Sequence, residues 1–196
     1  KSLTSVCSSN MRQAYTLILT HSIDNDGQIT PTNGQASSGH LRSWHDYTYE
    51  SVDPSYNFEQ AEHYLALHKS WADKNYLTCP EASLSYIESY LGETPLEPSE
   101  YSSYGMNSHF SYNATRGISD WNKPRYFNHI EYTSILFAEG ISSGPIDTKL
   151  NEAPYGVQTR HLQKANYTFT DGHNETSATY HLQSYSASPW DPSKKD

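Results

Sequence analysis

The C-terminal third of the chain contains residues that can ligate a metal ion or exchange protons. These imidazole and carboxylate side chains belong to His161, Asp171, His173 and His181. Zinc and similar ions accept such ligands. However, Asp171 and His173 straddle the predicted turn, so their side chains need not converge. We therefore favour a structural role, in which His161 hydrogen-bonds a backbone carbonyl or a carboxylate and holds its loop against the strands that follow.

A second candidate metal site is the segment Asp24-Asn25-Asp26-Gly27, which matches part of an EF-hand loop. Calcium prefers about six to eight oxygen ligands, including a bidentate glutamate at the last loop position. Here Ser22 and Asn33 occupy the first and last positions, so two strong ligands are missing. The segment is predicted to be a turn that ends a helix. Calcium at Asp24 and Asp26 is the alternative, and no other cofactor is expected.

The sequence lacks the G-x-S-x-G, H-E-x-x-H and phosphate-loop patterns of common catalytic sites, and we expect no enzymatic activity. Aromatic side chains suggest a different activity. Trp44, Tyr47 and Tyr49 lie in a glycine- and serine-rich stretch, where their rings could stack on sugars. They could equally pack over a small sheet or form subunit contacts. A glycan-binding site at these three residues is therefore the alternative function.

Composition limits the classes of partner. The chain has 196 residues, 13 of them basic and 22 acidic, which gives a net charge of −9. Nucleic acid is an unexpected partner because no basic patch could neutralise its phosphates, and anionic membrane surfaces are disfavoured for the same reason. No stretch approaches the roughly 20 apolar residues of a membrane span.

Several features favour an exported protein. The two cysteines, Cys7 and Cys79, could form one disulfide, which would contribute roughly 3–4 kcal/mol in the chain-entropy model, or remain as buried thiols. Three N-x-S/T sequons, at Asn113, Asn166 and Asn174, are candidate glycosylation sites. No signal peptide is evident, so an exported chain is expected to have lost its targeting segment.

The first element is predicted to be a helix over residues 1–22. Apolar residues recur there at three- and four-residue spacing, as in a helix face that covers a core. No residue is an evident cap at its start. The helix should end before the turn at 24–27, and Pro31 prevents its continuation. Residues 31–57 are predicted to be an irregular surface segment, and two further helices are expected over 58–73 and from Pro80 to about 91.

After residue 100 the pattern changes to that of strands. Residues 132–138 are almost continuously apolar and predict a central strand, and residues 166–169 and 174–182 predict a hairpin. Its turn is expected at Asp171-Gly172, which would supply the two positive-φ positions of a type I′ turn. Helices followed by an antiparallel sheet indicate an α+β fold. We predict one domain over residues 1–188, with an insertion at 31–100, a sheet region at 101–188 and a fraying tail at 189–196.

Six short motifs, in order along the chain, resemble one family: bacterial pilin- and pseudopilin-like proteins with prepilin-type N-termini and an H-x9-DG motif. His161, Asp171 and Gly172 match that motif itself. The other matching segments are Cys7-Ser8-Ser9-Asn10-Met11-Arg12-Gln13, Asp24-Asn25-Asp26-Gly27, Tyr76-Leu77-Thr78-Cys79-Pro80, Tyr101-Ser102-Ser103-Tyr104-Gly105-Met106-Asn107 and Ile135-Leu136-Phe137-Ala138-Glu139.

The resemblance implies a pilin-like fold, with an N-terminal helix packed on a small antiparallel sheet, a helical insertion and a C-terminal hairpin. It also implies a structural subunit of an extracellular fibre or a type II secretion-like apparatus, with other pilin-like subunits as partners in a homo-oligomer or filament. The family's apolar N-terminal half-helix, its only contact with the membrane, is absent here. The chain also departs from the family after His161, where Leu162, Gln163 and Lys164 replace a glycine-rich stretch, which argues against a tight turn.

Overall fold

The computed structural model describes residues 2–31, 33–35, 41–44, 47, 79, 104–110, 125–140, 145–150, 156–180 and 189–192. The helices predicted over 58–73 and 80–91 lie outside these residues. The first element, α1, is a 22-residue helix from Leu3 to Asp24. Ser2 caps it, since its side-chain oxygen accepts the backbone N–H of Ser5 at 3.3 Å. The expectation that the helix lacks a cap was therefore wrong.

One face of α1 is buried, at the three- and four-residue spacing that the sequence predicted. Its apolar members, Cys7, Met11, Ala14 and Ile18, are fully buried. The helix ends where Asp26 and Gly27 adopt positive φ angles of 53° and 87°. There the Gly27 N–H donates to the carbonyl of Ser22 at 2.8 Å, and this carbonyl at the helix end also accepts the Asn25 N–H at 3.2 Å.

The segment after α1 contains a small antiparallel hairpin. Strand β1 (Asn33–Gln35) pairs with β2 (Leu41–Ser43). Residues 31–57 were predicted to be irregular, so this hairpin is a correction. Directly after β2, the side chain of Trp44 is fully buried against Phe137, with ring centroids 5.8 Å apart.

The main sheet has six strands in the order β6-β5-β3-β4-β7-β8. Their bounds are β3 Tyr104–Asn107, β4 Ile135–Glu139, β5 Pro145–Leu150, β6 Gly156–Val157, β7 Ala165–Phe169 and β8 Asn174–Ser177. Strands β3, β4, β7 and β8 form an antiparallel unit, which agrees with the predicted antiparallel sheet. Strand β3 was not predicted, β4 begins three residues later than predicted, and β8 ends at Ser177, before the predicted strand end at 182. Strand β5 pairs parallel to β3, and β6 parallel to β5, so this edge differs from the predicted all-antiparallel sheet. The fold class is α+β.

Both faces of the sheet are covered at its centre, which explains why every residue of β4 and β7 is buried. On one face, the buried residues of α1 pack with Met106, Phe137 and Trp44. On the other, Ile135, Val157 and Tyr167 pack around Trp190. Helix α1 itself lies against β7 and β8. The central strands are therefore held from both sides.

Part of the predicted C-terminal tail belongs to this second core. Trp190 is fully buried, and its indole N–H donates to the carbonyl of Tyr180 at 2.8 Å. The backbone N–H of Ile135 donates to the carbonyl of Pro189, also at 2.8 Å. Residues 189–192 are thus docked on the sheet and do not fray, because a tryptophan supplies the apolar surface that covers this face. Residues 193–196 lie outside the described residues.

Among the described residues, no helix combines the length and the apolar character needed to cross a membrane.

Candidate functional site

His161 lies in a tight two-residue turn just before β7. Its N–H and C=O exchange hydrogen bonds with the C=O and N–H of Lys164, at 3.1 and 3.0 Å. The two intervening residues, Leu162 and Gln163, have φ angles of 52° and 63°. Two successive positive-φ residues are the signature of a type I′ turn, which normally uses Asn and Gly. The doubt about a tight turn at this position was therefore unfounded, even though no glycine is present.

The turn directs the His161 side chain into a buried polar cluster. Its Nε2 atom lies 2.7 Å from Oε1 of Glu139, the last residue of β4. Asn166, in β7, donates its backbone N–H to Glu139 Oε2 at 2.9 Å and its amide to Oε1 at 3.2 Å. Glu139 and Asn166 are fully buried and His161 is 3% exposed. The predicted bond from His161 to a carboxylate is present, and its partner is Glu139.

The buried carboxylate affects a neighbouring tyrosine. Burial, and then the charge of Glu139, raise the pKa of Tyr104 above its ordinary value, while a hydrogen bond with Asn10 and the charge of Arg160 act in the opposite direction. The Arg160 guanidinium donates to the carbonyl of Gly140 at 2.6 Å, next to Glu139 in the chain. The Tyr104 hydroxyl therefore stays protonated at neutral pH and donates to the Cys7 carbonyl at 3.5 Å.

A disulfide adjoins this cluster. Cys7 of α1 is bonded to Cys79, with the two Cα atoms 5.2 Å apart, so the cysteines are paired as one of the two alternatives predicted. Cys79 Sγ lies 3.6 Å from His161 Nε2. The ligand atoms of Cys7, Cys79, Glu139 and His161 all lie within 4.8 Å of one another. Within the described part of the chain, this is where residues that can ligate a metal converge.

The aspartate and glycine of the predicted motif lie at the far end of β7. The loop between Phe169 and His173 has three residues, and the Gly172 N–H donates to the Phe169 carbonyl at 2.9 Å. Gly172 has a φ of +87°, whereas Asp171 is absent from the positive-φ residues. The turn is thus a three-residue hairpin loop with a left-handed glycine, not the predicted type I′ turn. The register, which pairs Thr168 with Asn174, leaves one residue too many for a two-residue loop.

This loop rests on α1. A Cβ atom on Gly172 would lie 2.6 Å from Cε1 of Tyr15, so only glycine fits there. The Tyr15 hydroxyl donates to the carbonyl of Thr170 at 3.1 Å. Burial and the nearby charge of Asp171 raise the pKa of Tyr15. Next to this contact, the Asn174 amide donates to the carbonyl of Ser8 at 2.8 Å. The loop and the start of β8 are therefore fastened to the helix.

The residues of the first candidate metal site do not come together as one group. Asp171 and His173 meet at the exposed hairpin tip, where His173 Nδ1 lies 2.6 Å from Asp171 Oδ1 and Nε2 lies 3.4 Å from Glu175. His161 lies instead in the buried cluster, and His181 is outside the described residues. Asp171 and His173 therefore do converge, contrary to the expectation, whereas β7 separates both of them from His161.

The candidate calcium residues, Asp24 and Asp26, are both exposed at the end of α1. Asn25 caps the helix, and its side-chain amide donates to the carbonyl of His21 at 2.8 Å. Among the described residues, the group of potential metal ligands that converges does not include Asp24 or Asp26. The segment has the geometry of the predicted helix-terminating turn.

The aromatic candidates for glycan binding are differently placed. Trp44 is fully buried in the core, so its ring faces are not available to stack on a sugar. Tyr47 is half-buried, and its backbone carbonyl lies 3.1 Å from Nδ1 of His21. Tyr49 lies outside the described residues.

The three candidate glycosylation sites also differ in burial and contacts. Asn166 is fully buried and bonded to Glu139, which excludes a glycan on the folded chain. Asn174 is half-buried and uses its amide to bond Ser8, so a glycan there would displace the helix contact. Asn113 lies outside the described residues.

A surface cleft of about 400 Å³ is present away from the buried cluster. It is lined by His109, Phe110, Arg125, Tyr126, His129, Ile130, Glu131, Asp191 and Pro192. Basic and acidic side chains both line the cleft. None of these residues was a candidate site residue in the sequence. Tyr126, which lines the cleft, forms an isolated antiparallel bridge with Gln28 in the segment after α1.

The partners of the motif residues were not predicted from the sequence. Glu139 was assigned only to a strand segment, and Tyr15 and Asn174 were given no contact. For Glu139 a signal existed, because a charged residue directly after Ile135-Leu136-Phe137-Ala138 must either leave the sheet or be buried with partners. Tyr15 carried no such signal, since a tyrosine beside the apolar stripe of a helix is common.

Comparison with family models, with curated proteins and with solved structures finds no match to this chain, so its function is argued from the geometry.

Proposed function

We propose that this chain is the globular head of a pilin- or pseudopilin-like protein, an exported, non-enzymatic subunit of an extracellular fibre or secretion apparatus. The observation that carries the proposal is the position of the two halves of the H-x9-DG motif. His161 lies against Glu139 and the disulfide to Cys7, while Gly172 lies against Tyr15. Both halves therefore connect the C-terminal sheet to the N-terminal helix.

Such connections suit a subunit that assembles through its N-terminal helix. A force on the helix reaches the sheet only if the junction between them is rigid. Here α1 is attached at Cys7, Ser8 and Tyr15. At about 1.5 Å rise per residue, these points span about 12 Å of the helix axis. A helix bonded to a sheet over this length cannot swing independently of it.

Two further segments of the family resemblance also form contacts between elements of the fold. The Asp26-Gly27 turn ends α1 and redirects the chain, so that the Ile29 N–H donates to the Arg125 carbonyl at 2.7 Å. Asn107, at the end of β3, donates its amide to the carbonyls of Ile135 and Trp190 at 2.6 and 2.8 Å. The family-like residues thus hold elements together, as expected of a structural subunit.

The outer face of α1 remains available for contacts between subunits. Arg12, Thr16, Leu19 and Ile23 recur there at three- and four-residue spacing, and Ile23 is 73% exposed. The partners we propose are other pilin-like subunits, in a homo-oligomer or filament. The net charge of −9 makes nucleic acid an unsuitable partner. The burial of Trp44, one of the three residues of the glycan-binding alternative, argues against that function.

The proposal is tested by electron microscopy of material sheared from cells that produce the full-length protein, labelled with antibodies raised against this head. We expect label along filaments or on an envelope apparatus, and N-terminal sequencing of the assembled protein should show a processed apolar helix. Label recovered only on dispersed monomers would contradict the proposal.

A matched pair of variants sharpens this test. Ile23→Asp places a charge on the exposed face of α1 and should reduce the amount of assembled protein. Lys164→Glu changes an exposed residue on the sheet side and should leave assembly unchanged. Both variants should keep the wild-type melting temperature. Equal assembly of the two variants would show that the outer face of α1 is not a subunit interface.

A further inference from the structure

The buried cluster at the junction of α1 and the sheet has a composition that its structural role does not require. Two sulfurs, an imidazole and a carboxylate lie within 4.8 Å of one another, and all four residues are buried. A disulfide needs neither an imidazole nor a carboxylate beside it. A set of two cysteines, a histidine and a glutamate is, however, a suitable ligand set for zinc, which accepts sulfur, nitrogen and oxygen ligands in tetrahedral sites.

We propose that, when the Cys7–Cys79 disulfide is reduced, Cys7, Cys79, His161 and Glu139 form a tetrahedral site for Zn²⁺ or a similar soft divalent ion. A thiol reductant supplies two electrons and two protons and converts the disulfide into two thiols. Metal binding then displaces the two thiol protons to solvent, because the ligands are thiolates. His161 binds through Nε2 as the neutral tautomer that carries its proton on Nδ1, and the Nε2 hydrogen bond to Glu139 is given up.

The distances between the ligand atoms are compatible with replacement of the disulfide by a metal ion. In a tetrahedral site with bonds of about 2.0–2.3 Å, neighbouring ligand atoms lie roughly 3.3–3.8 Å apart. The separation of 3.6 Å between Cys79 Sγ and His161 Nε2 is already in this range. The His161 Nε2–Glu139 Oε1 separation of 2.7 Å must increase slightly. The two sulfurs must also move apart, which reduction permits.

The surroundings also support a metal site. Asn166 bonds both oxygens of Glu139 through its backbone N–H and its amide, and such outer bonds orient ligating carboxylates. A zinc ion with two thiolates, one carboxylate and a neutral imidazole has a net charge of −1. The Arg160 guanidinium, bonded to the carbonyl next to Glu139, lies where it can offset this charge. The metal would join Cys7 of α1 and Cys79 to His161 and to Glu139 of β4.

Cobalt titration of the reduced protein under anaerobic conditions tests the proposal. After reduction by a phosphine, two free thiols per chain should be measured. One Co²⁺ per chain should then bind, with thiolate-to-cobalt charge-transfer absorption and the intense visible bands of a tetrahedral complex, and Zn²⁺ should displace it. The oxidised protein should show none of these bands. Equal cobalt binding by the oxidised protein, or no binding by a folded reduced protein, would overturn the proposal.

Two histidine variants distinguish this site from surface binding. His161→Gln keeps a donor for Glu139 but removes a ligand, and should abolish the charge-transfer bands. His173→Gln changes the exposed histidine at the hairpin tip and should leave them unchanged. Asn166→Ala removes an outer bond to Glu139 and should weaken binding roughly 10–100-fold. Equal effects of the two histidine variants would count against the cluster.

A stability measurement covers the case in which reduction alone unfolds the chain. With Zn²⁺ present from the start, the reduced protein should retain its near-ultraviolet circular dichroism and melt at a higher temperature than without the metal. The oxidised protein should show no such shift. Loss of the native spectrum despite zinc would refute the site.

Discussion

Gly172→Ala should destabilise the protein by about 2–5 kcal/mol. An alanine at a φ of +87° costs about 1–2 kcal/mol for its left-handed backbone. The new Cβ would lie 2.6 Å from Tyr15 Cε1, and overpacking of this kind costs about 1–3 kcal/mol. If the tyrosine moves away instead, its hydrogen bond to Thr170 is lost, which costs about 0.5–1.5 kcal/mol.

Gly27→Ala is a matched control. Gly27 has the same φ of +87°, but a Cβ there would meet only Asn128 Oδ1 at 3.9 Å, so its cost should be the backbone part alone, about 1–2 kcal/mol. The assay is urea unfolding followed by tryptophan fluorescence, since Trp44 and Trp190 are fully buried.

A double-mutant cycle isolates the contact between the loop and the helix. In a Tyr15→Ala background the steric part disappears, and Gly172→Ala should again cost about 1–2 kcal/mol. The coupling energy between the two positions should therefore be about 1–3 kcal/mol. If Gly172→Ala costs the same with and without the Tyr15 ring, the loop is not held by the helix, and the argument that the motif fastens these two elements is refuted.

Three further measurements address the other parts of the junction. Replacing Cys7 and Cys79 by alanine opens a loop whose ends are 72 residues apart and should lower the free energy of unfolding by about 4 kcal/mol; a loss under about 1 kcal/mol would be inconsistent with this. Exchanging Leu162-Gln163 for Asn-Gly removes the backbone strain of two residues with left-handed φ angles and should raise the free energy of unfolding by about 1–2 kcal/mol. An unchanged or lower free energy of unfolding would contradict this. The pKa of Tyr104 is raised by burial and by the charge of Glu139, so the folded state holds this proton more tightly than the unfolded state does. The contribution of Tyr104 to the free energy of unfolding should therefore be constant below about pH 10 and fall above it. The free energy of unfolding of Tyr104→Phe should fall less steeply with pH above about pH 10, and identical slopes would oppose the assignment.

The elements predicted well from the sequence are those with a strong local pattern. Helix α1 has an apolar stripe that only a helix places on one face, and its turn at Asp26-Gly27 has residues suited to left-handed φ angles. Strand β4 is an apolar run, as expected for a central strand that is covered on both faces of the sheet. The parallel edge formed by β5 and β6 was missed because parallel pairing depends on crossover connections, which leave no local signature.

The two turns around β7 show why turn geometry was harder to predict. The sequence placed the type I′ turn at Asp171-Gly172, where the residues favour it, and it occurs at Leu162-Gln163, where they do not. Buried contacts explain why the type I′ turn forms at Leu162-Gln163. His161 and Asn166 both reach Glu139, and the two-residue turn between His161 and Lys164 brings the chain back within that distance. Tertiary contacts of this kind override local propensity.

The spacing of the motif follows from the same strand. Between His161 and Asp171 lie the two turn residues and Lys164, the five residues of β7, and Thr170. Five residues in a strand cover about 13 Å from first to last Cα, similar to the axial distance from Cys7 to Tyr15 on α1. Because side chains alternate along a strand, one residue more or fewer would turn either Asn166 or the glycine loop away from its partner. The number of residues between His161 and Asp171 thus matches the length of the strand that carries both contacts.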